Sequence, residues 1–111
     1  MGRDELQELS CTLIACAGDA YGHFNTAINL ASEGNFDAAN DELKAGRASI
    51  AEGHKSQLAL LQDEATGNAC PIGILEVHAQ DHLMNAMSFE NTARQIIALY
   101  RRVESLEKGD R

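Results

Sequence analysis

A single proline, Pro71, punctuates a chain of 111 residues in which Ala, Leu, Glu, Lys and Gln dominate and aromatic side chains are few. Those residues are good helix formers, and β-branched alternation of the kind that marks strands is nearly absent. Apolar residues recur instead at three-to-four spacing. The pattern predicts three helices. The first spans about Arg3 to Ser32, with a stripe of Leu6, Leu9, Leu13, Ala17, Ala20, Phe24, Ala27 and Ala31. Gly34-Asn35 ends it, because glycine accepts the left-handed backbone of a helix C-terminus. The second spans about Phe36 to Ala65, with Phe36, Ala39, Leu43, Ile50, His54, Leu58, Leu61 and Ala65 as its stripe, and Gly67-Asn68 breaks it. The third begins near Pro71, a residue suited to a first helical turn, and runs to about Glu107. Three long helices with short turns predict an all-α, antiparallel three-helix bundle in one domain, residues 1–111, with a frayed end at Lys108-Gly109-Asp110-Arg111.

Composition removes several function classes. The formal charge of −8, with nine basic residues scattered along the chain, argues against a nucleic-acid partner, which needs clustered Lys and Arg. An apolar run long enough to span a bilayer is missing. Met1-Gly2-Arg3-Asp4-Glu5 enters the amphipathic pattern without the apolar core of a secretory signal. Cys11, Cys16 and Cys70 are odd in number and lack metal-ligand spacing, so free thiols in a reducing, cytoplasmic setting are expected.

Within helix 2, Gly46 and Gly53 each cost about 1 kcal/mol against Ala in a helix interior. Together with Ala39 they place small residues every seven positions, which predicts close helix packing. His54 falls on the apolar stripe and reads as a hydrogen-bonded core histidine.

The chemistry concentrates in helix 3, at Val77-His78-Ala79-Gln80-Asp81-His82-Leu83-Met84. With His78 at zero on a helical wheel, Asp81 lies about 60° to one side and His82 about 40° to the other, so all three share a face. Ile74, Leu75, Phe89, Ile96, Leu99, Tyr100 and Val103 share their direction, with Asn85 and Ser88 nearby. Glu76, Glu90, Arg94 and Arg101 lie opposite, and Gln80 points towards that charged side. The wheel therefore places His78, Asp81 and His82 on a core-facing stripe, where a carboxylate requires a partner. A buried Asp–His pair, a transition-metal site completed by other chains, and a nucleophilic histidine oriented by a neighbour all fit the spacing.

These eight residues resemble the signature of the lactose/cellobiose-type enzyme IIA subunits of the bacterial phosphotransferase sugar-uptake system. Ala17-Gly18, Glu33-Gly34-Asn35-Phe36-Asp37-Ala38-Ala39, His54 and Gln57, Glu64-Ala65-Thr66-Gly67 and Leu99-Tyr100 are similar as well, so the likeness covers nearly the whole chain. Gly22, where a serine is common, Arg94-Gln95, where an acidic residue is common, and Cys70-Pro71 depart from it and leave the sugar and the docking surface open. The resemblance implies a homotrimer of three-helix bundles and a phosphocarrier role. It implies phosphorylation of His78 by the histidine phosphocarrier protein HPr and transfer to a cysteine of a cognate enzyme IIB. It also implies one divalent metal ion per trimer, with Mg2+ the expected ion, held by Asp81 at the trimer centre. Beside it, adjacency makes His82 and Gln80 supporting donors to the phosphoryl oxygens, with His54 and Gln57 approaching from a neighbouring chain. Leu83 and Met87, lying among charged positions of helix 3, predict an additional covered surface in the trimer. The competing reading is a metal-binding or regulatory helical scaffold that keeps the motif and transfers nothing.

Overall fold

The computed structural model describes residues 1–67 and 70–109. Three helices, α1 (Arg3–Ser32), α2 (Phe36–Ala65) and α3 (Ile74–Glu107), run antiparallel to their chain neighbours in a rod of 62 × 19 × 17 Å. The first two helices match the predicted bounds. The third starts at Ile74, three residues beyond Pro71, because a different device opens it. Gly73 precedes the helix, and the Glu76 carboxylate reaches back to accept its N–H at 2.7 Å, the reciprocal half of a capping box. Between α1 and α2, Gly34 takes φ 85°. The amide N–H groups of Gly34 and Asn35 return to Ala31 O and Leu30 O, closing the helix as Gly34-Asn35 predicts. Gly67 repeats the positive φ after α2; its neighbour Asn68 lies outside the described residues, as do Asp110 and Arg111 of the tail.

Helix α1 is the central packing element. It buries Leu6, Ser10, Leu13, Ala17, Ala20, Phe24, Ala27 and Ala31, the predicted stripe with Ser10 in place of Leu9. It lies against both other helices, whereas α2 and α3 touch each other less. Phe24 is the largest fully buried side chain, contributing about 1.5–3 kcal/mol by transfer from water. Its ring occupies the space that a side chain on Gly46 would need: a Cβ there would stand 2.4 Å from Phe24 Cε1. At Gly53 a Cβ would meet Leu83 Cδ1 at 3.0 Å and Cys16 Cβ at 3.2 Å. Both glycines are therefore contact points, as their spacing predicts.

The remainder of the α2 stripe shifts. Its buried residues are Ala39, Leu43, Gly46, Gly53 and Ser56, while His54, Leu58, Leu61 and Ala65 are exposed. Steps of four from Ile50 through His54 to Leu58 walk about 40° around the helix each time. The real seam alternates threes and fours through small residues that a hydrophobicity reading discounts.

The α3 wheel needs a larger correction. The core residues of α3 are Ala79, Leu83, Ala86, Ala93 and Ile97, which lie about 60° to 140° away from His78. Glu76, assigned to the solvent side, is buried with its carboxylate bonded to Gly73 and 3.6 Å from Arg3. Leu83 is fully buried in the chain's own core, with Met87 packed against it, so this pair marks no extra covered surface. The face of His78, by contrast, is open: Ile74 is 84% exposed, Leu99 59% and Val103 45%. The physical reason is alanine. Small side chains on facing stripes let α1 and α3 approach closely, and a wheel weighted towards large apolar residues points at the wrong side.

Candidate functional site

Helix α3 delivers the predicted residues one turn apart, on its outward face. His78 and Asp81 are exposed and His82 is half-buried. The two imidazoles meet edge to face, with centroids 4.3 Å apart and planes at 87°. Their Nε2 atoms are 3.0 Å apart. At that distance one nitrogen donates a hydrogen and the other accepts, so a single proton bridges the pair and the rings hold complementary tautomers.

Asp81, expected to be buried beside them, faces solvent and makes no hydrogen bond or ion pair within the chain among the described residues. Nor do three His, Cys, Asp or Glu side chains of the described residues converge as a metal cradle. A metal at Asp81 would thus need carboxylates from further copies.

Gln80 turns away from His78, as its wheel position predicts, and joins α2. Its Oε1 accepts from Gln57 Nε2 at 2.7 Å, and Gln57 Oε1 accepts from His54 Nδ1–H at 3.0 Å. Within the chain, His54 and Gln57 are thus tied to Gln80. His54 is exposed and not a core residue, and its ring meets Gln57 through Nδ1.

Beside His82 a groove of about 720 Å³ runs between α1 and α3. Gly18 and Gly22 form part of its floor, Tyr21 and Phe89 stack at 4.3 Å as a wall, and Asn25, Asn85, Ser88 and Thr92 supply polar groups. An added Cβ on Gly18 or Gly22 would touch nothing within 4 Å, so these glycines keep the groove open and relieve no clash. Their four-residue spacing in α1 is the signal that sequence reasoning left unused. The three cysteines are free. Burial, then the charges of Glu52 and Asp19, pushes the Cys16 thiol above its ordinary value, which leaves it a poor nucleophile.

Bundle and histidine pair together define a class: a small helical protein that carries a paired set of imidazoles on the open face of one helix. Comparison with known proteins narrows the class. The model of the PTS system lactose/cellobiose-specific IIA subunit family matches residues 8–101, and the chain belongs to that family. It is 36% identical over 102 residues to the PTS system lactose-specific EIIA component of Staphylococcus epidermidis, covering 92% of this chain and 98% of the relative. The Streptococcus mutans lactose-specific component is 34% identical, with the same two shares covered. The crystal structure of the PTS cellobiose-specific enzyme IIA from Bacillus anthracis superposes with a TM-score of 0.88 at 32% identity, covering 95% of this chain and 94% of that one. The protein is accordingly a phosphotransferase-system component of sugar uptake, and no helix among its described residues is long and apolar enough to cross a membrane.

Proposed function

We propose that the protein is a cytoplasmic phosphocarrier that accepts a phosphoryl group from HPr on His78 and passes it to a cognate enzyme IIB. The observation that carries this reading is the His78–His82 pair, set at Nε2–Nε2 contact on an exposed helix face. With the bridging proton on His82 Nε2, His78 is protonated on Nδ1 and its Nε2 lone pair is the nucleophile. As the phosphoryl group arrives, the new N–P bond forms at that lone pair and the donor imidazole leaves with the old bonding pair. His82 Nε2–H loses its acceptor at the same moment and turns to a phosphoryl oxygen. Phosphoryl transfer depends on this kind of positioning and charge neutralisation. Gln80 is a poorer support for the phosphoryl oxygens than His82, because its amide is engaged with Gln57.

A homotrimer completes the reading. The His78 face of α3 exposes Ile74, Leu99 and Val103 along its length, an apolar strip that a lone chain leaves wet. Packing three such faces together would cover it and bring three Asp81 carboxylates near one axis. Like charges at close range repel. A divalent cation, Mg2+ by the hardness of its oxygen ligands, would offset that repulsion. The metal's contribution would be to assembly, with Asp81 as its ligand and His78 left free for chemistry.

Incubation with enzyme I, HPr and phosphoenolpyruvate followed by intact-mass measurement tests the proposal. Addition of one phosphate per chain, discharged by a IIB protein, supports it. A chain that gains no phosphate is a scaffold, and one that gains phosphate but never passes it on is a sensor.

A further inference from the structure

The seam between α1 and α2 carries a cluster of side chains that phosphoryl transfer does not use. His23 projects from α1 with its ring about a third exposed, Nδ1 2.6 Å from Glu42 Oε2 on α2 and Nε2 3.4 Å from Asp19 Oδ2 one turn earlier on α1. Asp19 also accepts a hydrogen bond from Ser49 Oγ on α2. One imidazole thus joins Glu42 of α2 to Asp19 of α1, and Asp19 in turn accepts from Ser49 of α2. Glu42 and Asp19 are the charged groups that face it, and no α3 group among the described residues lies within ion-pairing distance. The next residue, Phe24, is the one that packs on Gly46, and its ring meets Phe89 of the groove edge-on at 6.2 Å.

Imidazole chemistry makes this arrangement depend on a proton. The charged ring has two N–H donors and satisfies both carboxylates. The neutral ring keeps one donor, and its other nitrogen presents a lone pair. Loss of the proton therefore removes one of the two bonds and sets a lone pair against a carboxylate oxygen. The hydrogen bond to Glu42 is the main cause that lifts the ring above its ordinary value; burial opposes it, and the charges of Asp19 and Glu42 add to it. The sign follows from linkage. A histidine raised in the folded state contributes stability that is fully present below its unfolded value and is lost as pH rises through the folded one.

We propose that His23 is a proton-operated clasp that, when charged, joins Glu42 of α2 to Asp19 of α1 and so to Ser49 and, when neutral, keeps only one of its two carboxylates. Titration of the histidine ring signals by NMR, with amide exchange followed in parallel, tests it on the wild type, Glu42→Gln and His23→Gln proteins. The clasp requires His23 to titrate above the roughly 6.5 of an unperturbed imidazole, with the midpoint falling in Glu42→Gln. It also requires amides 42–49 to lose protection through the same pH range in the wild type but not in His23→Gln. A His23 that titrates at the unperturbed value, a midpoint unmoved in Glu42→Gln, or a pH-dependent loss of protection that survives in His23→Gln would each overturn it. Should His23→Gln fail to fold, the Glu42→Gln midpoint decides alone.

Discussion

Gly46→Ala is the substitution for which the structure sets the sign against the usual rule. In an exposed helix interior, Gly to Ala gains about 1 kcal/mol through backbone propensity. At Gly46 the added Cβ would stand 2.4, 2.8 and 2.9 Å from three atoms of the Phe24 ring, distances that real Cβ atoms do not tolerate. Phe24 is fully buried, so the ring or the α1–α2 spacing must shift. Overpacking of this kind costs about 1–3 kcal/mol. Set against the propensity gain, the net effect runs from near neutral to a loss of about 2 kcal/mol, and the severity of the 2.4 Å contact favours the upper end. For a domain of this size each kcal/mol lowers Tm by roughly 4–8 °C. Gly18→Ala is the internal control: its Cβ would meet nothing within 4 Å of the chain, so it should gain about 0.4–1 kcal/mol. Urea denaturation of both variants and the wild type at one fixed protein concentration, since assembly adds to apparent stability, gives the comparison. A Gly46→Ala protein as stable as Gly18→Ala would refute the claim that Phe24 packs against bare backbone.

Further outcomes are expected from the outward face of α3. Light scattering at working concentration should give three times the chain mass, and Leu99→Asp with Val103→Asp should reduce it to one; a monomeric wild type contradicts the trimer. Asp81→Leu should leave the fold of the single chain unchanged, because the side chain is exposed and has no partner there among the described residues. It should remove any metal dependence of assembly without weakening it, and still accept phosphate. An Asp81→Leu protein that assembles but takes no phosphate would place Asp81 in the chemistry.

Much of the fold was legible because it is written in punctuation. Gly34-Asn35 and the period of α1 define that helix and its core stripe nearly residue for residue. Helix α3 was legible in extent but not in facing. Its core contact is built largely from Ala79, Ala86 and Ala93, which carry little hydrophobic weight, so larger residues about a quarter-turn away on the wheel outweigh them. Of these, Ile74, Leu99 and Val103 face outwards, where a single sequence cannot tell a wet surface from one covered by another copy, while Phe89 and Tyr100 pack on the edge of the core. The same ambiguity placed His78 and Asp81 inside the chain when they sit on its open face. Glu76 shows the converse: a carboxylate that looks solvated by type is buried because it caps its own helix. His54 and Gln57 were visible as residues, but their link to Gln80 depends on the angle between α2 and α3, which no local pattern encodes.

Site-resolved phosphate incorporation tests the central claim most directly. With enzyme I, HPr and phosphoenolpyruvate, the wild type should gain one acid-labile phosphate, located on His78. His78→Ala should gain none, while His82→Ala, which keeps the nucleophile but loses the bridging donor, should be labelled more slowly. Full labelling of His78→Ala would contradict the account.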